Sequence, residues 1–141
     1  MSSNSEAIGH LLEACPGIEP DWEEHLAWWG DEERGHYNDI SVIAHYLVDC
    51  VKRVQTDFFP RVFQLVEQYI TGGDEETRNL MVVGLLEGLQ NVASWESFGY
   101  GVFEQWLEPQ SRVAWRQLEK VWEGKSSLMD VIREERRTRK P

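Results

Sequence analysis

LMVVGLLEGLQN, residues 80–91, is the stretch whose reading decides the fold. Leu80, Met81, Val82, Val83, Leu85, Leu86 and Leu89 place apolar groups on nearly every side of a helix, which marks a buried element rather than a surface one. Gly84 and Gly88 lie one turn apart. Each weakens the helix by about 1 kcal/mol relative to Ala, and the return is that another backbone can pack very closely along that face. Glu87, Gln90 and Asn91 stand near the end of this apolar rod, so each must reach solvent or be hydrogen-bonded. The stretch predicts the central helix of an all-α domain.

Just upstream, Asp57 is the expected cap of a helix whose buried side is Phe59, Val62, Phe63, Val66, Tyr69 and Ile70, with Pro60 in its first turn. Thr71 to Asp74 form a tight turn, and Glu75 and Glu76 open the central helix, so the pair reads as a HEAT-like antiparallel hairpin. No second copy recurs at a fixed period. Further back, Ile40, Ile43, Leu47, Cys50 or Val51, and Val54 form the stripe of a helix capped by Asn38 or Asp39. GDEERGHYND, residues 30–39, is a polar connection. Pro20 starts the preceding helix, Trp22, Leu26 and Trp29 follow its spacing, and Gly30 ends it. Ser5 caps a short first helix through Ala14, with Ile8, Leu11 and Leu12 inward.

Downstream, SWESFGYG (residues 94–101) is a connection or short helix, and Phe103, Trp106 and Leu107 belong to another short segment. Pro109 starts a helix with Val113 or Ala114, Trp115, Leu118, Val121 and Trp122 on its apolar side, ended by Gly124. Ser126 or Ser127 caps a last one, with Leu128, Met129 and Ile132 inward. No alternating strand pattern occurs. The expectation is an all-α, single-domain bundle of about seven helices over residues 5–132, a disordered start at 1–4 and a charged, frayed tail at 133–141.

At 141 residues the chain can bury a core without disulfide or metal staples. Cys15 and Cys50 lack metal-ligand spacing and read as buried thiols of a cytoplasmic protein. No run of about 18 apolar residues and no signal peptide is visible. Charge is unevenly spread: the net value is −11, but residues 1–108 carry −15 and residues 109–141 carry +4. Such a body repels nucleic acid and anionic membranes and steers basic partners toward itself; the plainer alternative is acidity that only maintains solubility.

Motifs for catalysis are missing. His10, His25, His36 and His45 show no i, i+3 or i, i+4 pairing, HExxH is absent, and Glu33 with His36 has no second pair to complete a metal site. No serine lies in a GxSxG turn, and Gly99 and Gly101 lack the rest of a nucleotide fingerprint. The basic run Arg133–Lys140 is interleaved with Glu134 and Glu135 and has no aromatic company, so it reads as a solvated helix end. No catalytic residue, metal or cofactor is expected. What remains is surface recognition. Trp28, Asp31, Glu32, Glu33, Tyr37 and Asp39 combine rigid aromatic anchors with dense negative charge, the composition of an interface hot spot. Trp95 and Glu96 are the second choice. The competing reading places Trp22, Leu26 and Trp29 in the core, with the acids merely covering a loop.

GLLEGLQN (84–91), followed by WLEPQSRVAWRQLEKVW (106–122), resembles a family of small, acidic bacterial helical proteins that pair a "fLEdLqN" helix with a later "fLGPeSrxaWxxLxxfW" helix. The likeness runs from about Phe58 to Gly124, with Glu108 in place of the usual Gly and Gly88 in place of an acidic residue. Leu86, Leu89, Pro109, Ser111, Trp115, Leu118 and Trp122 are packing and capping positions in that motif. Such proteins resemble the immunity proteins of bacterial toxin systems. The resemblance implies an inhibitor of a cognate toxin or effector domain and leaves the acidic N-terminal third outside the match; the negative charge of the body suits a partner whose active site, a basic cleft, it would cover. The alternatives are a non-catalytic helical scaffold or adaptor, and a small metal-dependent hydrolase using the histidines and carboxylates.

Overall fold

The computed structural model describes residues 3–121. The expected features at Trp122, Gly124, Ser126 to Ile132 and the tail 133–141 lie outside these residues. Helices α1 (Ser3–Glu13), α2 (Glu19–Trp29), α3 (His36–Lys52) and α4 (Phe59–Gly72) lead into a continuous central rod. The rod comprises α5 (Glu75–Asn79), a π-helical segment (Leu80–Leu86) and α6 (Glu87–Ala93). A 3₁₀ helix (Tyr100–Trp106) and a helix from 109 to 121, here α7, complete the described chain. No strand occurs among the described residues, so the fold is an all-α, single-domain bundle.

The central rod packs chiefly on α3; α1 and α4 meet its first half, and the 3₁₀ helix meets α6. Gly84 permits that packing as the sequence implied, whereas Gly88 has room for a methyl group. A Cβ on Gly84 would lie 2.8 Å from Ile40 Cγ2 and 3.4 Å from Tyr37 Cδ1, and one on Gly88 would lie 3.4 Å from Ala44 Cβ. Tyr37, Ile40 and Ala44 are thus the α3 face that rides on the bare backbone.

The expectation that the rod is apolar-buried all round needs correction. Leu80, Met81, Leu85 and Leu86 are buried, whereas Val83 is 47% exposed. The buried pairs are five residues apart, a spacing that an ordinary helix of 3.6 residues per turn would swing more than a third of a turn away. The i→i+5 bonding of the π segment keeps both pairs on one face, and the four-residue spacing resumes at Leu89, Gln90 and Ala93.

Several boundaries differ from expectation. Ser3 and Asn4 are helical rather than disordered, because Asn4 is buried in a polar network: its Oδ1 accepts from Thr77 Oγ1 (3.0 Å) and its Nδ2 donates to His36 Nδ1 (3.5 Å). Ser5 therefore lies inside α1, within 3.3 Å of His36 Nε2. The fourth helix has Phe58, not Asp57, at its cap, with no side-chain bond there. Val54 is not part of the α3 stripe. That helix stops at Lys52, with Val54 N–H bonding Val51 O and Gln55 N–H bonding Cys50 O, the Schellman pattern. Val54 occupies the left-handed position (φ 55°) and is exposed. In α7, Ala114 and Trp115 are buried, Leu118 is half-buried and Val113 and Val121 are exposed, so the helix leaves the core as it proceeds.

Three aromatic layers meet where α4, the 3₁₀ helix and α7 converge. The Phe59 ring lies 4.7 Å from Trp106 and 6.1 Å from Phe103, which in turn lies 6.4 Å from Trp115. The start of α7 is fixed from α4. Pro109 has no N–H to satisfy, and the next two are taken by Glu67, whose Oε2 accepts from Gln110 N (2.8 Å) and Oε1 from Ser111 N and Oγ (2.8 Å each). Burial works against the Glu67 carboxylate, but the Gln110 N–H, the Ser111 hydroxyl and the Ser111 N–H outweigh it and hold its pKa below the ordinary value.

Gly84→Ala is expected to destabilise the fold by about 1–2 kcal/mol, since overpacking against Ile40 exceeds the gain in helix propensity. Gly88→Ala, which meets only ordinary contact, should be neutral or slightly stabilising. Urea unfolding of the two variants checks the contrast. For Glu67, a folded pKa below the unfolded one means stabilisation that is complete above the unfolded pKa and lost as pH falls through the folded one. Glu67→Gln should therefore lower stability by about 1 kcal/mol at neutral pH, and the gap to the native chain should close in acid, as urea midpoints across pH will reveal.

Candidate functional site

The α2–α3 corner carries the first-choice residues. Gly30 ends α2 with a positive φ of 57° while its N–H bonds Leu26 O, and residues 31–33 after this turn are exposed. Gly35 then begins α3 three to four residues earlier than the sequence suggested, so His36 to Asp39 form its first turn. That shift turns Asp39 inward. His25 Nε2 lies 2.8 Å and Arg34 Nε 2.9 Å from Asp39 Oδ1. A carboxylate only accepts, so His25 carries its proton on Nε2. Trp22 stacks beneath this group, 5.3 Å from the His25 ring and 5.8 Å from the Arg34 guanidinium, and Trp29 meets His25 edge-on at 6.4 Å.

This compact polar centre mounts the other residues outward. Trp28 is 85% exposed, Asp31, Glu32 and Glu33 are exposed, and Tyr37 is half-exposed over Gly84. Trp29 is half-buried, and α2 contributes no fully buried side chain, so the core reading of the Trp22–Leu26–Trp29 stripe holds only as partial cover. Five of the six first-choice residues are exposed; Asp39 is the exception, its charge consumed by His25 and Arg34. Between residues 19 and 33 there are seven acidic side chains and no basic one.

The second-choice residues sit elsewhere. Trp95 is 86% exposed at the rim of a recess of about 280 Å³ formed with Gln90, Asn91, Ser94 and Tyr100. Glu96 is ion-paired with Lys52 at 3.0 Å. At the recess, Gln90 is 1% exposed; its Nε2 donates to Trp115 O (3.1 Å), joining the two motif stretches, but its Oε1 has no donor. Trp115 Nε1 is likewise buried without an acceptor. Each such group costs about 1–3 kcal/mol.

One concavity escaped sequence reading. It is a groove of about 760 Å³ between α1 and α4, lined by Glu6, His10 and Glu13 on one side and Arg61, Gln68 and Tyr69 on the other. The i, i+4, i+7 spacing of Glu6, His10 and Glu13 was a legible polar face; its partner across the groove was not. Tyr69 OH donates to His10 Nδ1, and burial, with the Glu6 charge second, pushes the Tyr69 pKa up. The remaining histidines are engaged too, His36 by Asn4 and Ser5 and His45 by Ser41 O. Burial, with the neighbouring Cys50 second, pushes the Cys15 thiol up to about 12. Among the described residues no three His, Cys, Asp or Glu side chains converge as a metal ion requires, and no helix is long and apolar enough to cross a membrane.

No curated protein and no solved structure matches the chain. A family model described as a domain of unknown function, DUF7674, matches residues 8–123. The match takes in both motif stretches and also the acidic third that the motif resemblance left outside. It covers most of the 141 residues, and the chain therefore belongs to the DUF7674 family.

Proposed function

We propose that this protein is an immunity-type inhibitor, binding a cognate toxin or effector domain and covering its active site. The observation that carries the reading is the α2–α3 corner: a tryptophan 85% exposed, beside three exposed carboxylates, on a turn braced by the Asp39–His25–Arg34 group. A tryptophan side chain has only two rotatable bonds and so loses little freedom when a partner covers it, which is why such residues serve as hot spots. The acids supply a field that attracts a basic cleft and can raise association rates by about 10 to 1000-fold. Tight occlusion would use an interface of about 1,600 Å², and Trp95 is a second exposed anchor, away from this corner. The likeness of the 84–91 and 106–122 stretches to an immunity-protein-like family points the same way.

The test is capture of a partner on the immobilised protein, followed by assay of its enzymatic activity. Activity should fall to background at equimolar protein. Replacing Asp31, Glu32 and Glu33 together by Lys should slow association at low salt by about tenfold or more, and Trp28→Ala should speed dissociation by about tenfold or more. A partner that stays fully active in the saturated complex overturns inhibition, and wild-type kinetics in both variants overturns the assignment of the surface.

A further inference from the structure

We propose that the outer face of α2 is a receptor for one basic side chain, lysine or arginine, of the partner protein. That role rests on the reading that this protein holds a basic partner, and it brings in Asp21 and Glu24, which that reading does not use. A recess on α2 is lined by Asp21, Glu24, His25, Ala27 and Trp28. Residues 21, 24 and 28 follow the spacing of one helical face. Trp28 is 85% exposed, and both carboxylates are exposed beside it. Successive turns lie about 5.4 Å apart. A side chain laid along this face can therefore rest its stem on the indole while its charged head reaches the carboxylates.

Chemistry selects the occupant by elimination. Among the described residues neither Asp21 nor Glu24 has an ion-pair partner, and no lysine or arginine lines the recess. An apolar side chain seated against Trp28 would strip water from both carboxylates without pairing them, and an acidic one would be repelled. A cation pairs with them and is drawn to the ring face. The nearest basic groups are engaged elsewhere. Lys52 and Arg53 border Asp21 from a neighbouring recess, but Lys52 is paired with Glu96 and Arg53 lies over the Tyr46 ring. Arg34 and His25 Nε2 are both held by Asp39. Trp95 supplies an internal comparison. It is 86% exposed, as open as Trp28, but its recess is lined by Gln90, Asn91, Ser94 and Tyr100, none of them charged. Glu96 beside it is taken by Lys52, and α7 brings Arg112, Arg116 and Lys120 along with Glu119. The two indoles thus differ in the charge around them rather than in exposure.

The experiment titrates the intact protein at low salt with N-acetyl-lysine-methylamide, N-acetyl-arginine-methylamide and the neutral N-acetyl-norleucine-methylamide, following the indole resonances by NMR. Saturable shifts at the Trp28 indole are expected with both basic probes, at least about threefold tighter than with norleucine and than at Trp95. Asp21→Asn combined with Glu24→Gln, two changes at exposed positions, should weaken the basic probes at Trp28 about threefold or more. Norleucine binding as tightly as the basic probes, equal response at the two indoles, or unchanged binding in the double variant overturns the proposal. The titration needs no partner, so its failure leaves inhibition through Asp31, Glu32 and Glu33 standing, and failure of inhibition leaves the titration result intact.

Discussion

The close approach of α3 to the central rod at Gly84 is the constraint on which the rest depends. Without a side chain at Gly84, the Ile40 methyl and the Tyr37 ring can lie directly on the backbone of the rod. The π segment serves the same contact by keeping Leu80, Met81, Leu85 and Leu86 on one buried face. One consequence reaches the surface. Tyr37 packs one edge of its ring on the rod and is half-exposed, so this aromatic is seated on the central rod, whereas Asp31, Glu32 and Glu33 are carried by the connection before α3.

Around that axis, the periphery is held by polar ties between residues far apart in sequence. Asn4 joins Thr77 and His36, Glu67 joins residues 110 and 111, Gln90 joins Trp115, and Lys52 joins Glu96. A single hydrogen bond contributes only about 1 kcal/mol net, so none of these determines the fold. What they fix is placement. Each links two elements far apart in sequence and so fixes how one lies against the other.

The apolar stripes of α3 and α4, proline at the starts of α2, α4 and α7, Gly30 as a terminator and the buried thiols were all legible, because each is a local signal at helical spacing. Trp28 fell outside the Trp22–Leu26–Trp29 stripe, but which tryptophans reach the surface was open until the fold was known. What the chain concealed was non-local. Asp39 looked like an exposed cap, because nothing in the neighbouring sequence announces that His25 and Arg34 converge on it. Gln90 was flagged as needing a partner, but not that only half of its amide would find one. The α1–α4 groove needs two segments about 60 residues apart, and Val54 stood in the right register for the α3 stripe until the helix ended two residues before it.

The cap that Glu67 provides also bears on how the chain comes together. Residues 109–121 have no start signal of their own beyond Pro109, so an isolated peptide of that stretch would lack acceptors for the N–H groups of Gln110 and Ser111. The signal arrives 43 residues earlier in sequence, on a helix that a ribosome releases first. Vectorial synthesis thus presents a finished docking carboxylate to a segment still emerging, and maturation of the C-terminal end becomes contingent on assembly of what precedes it.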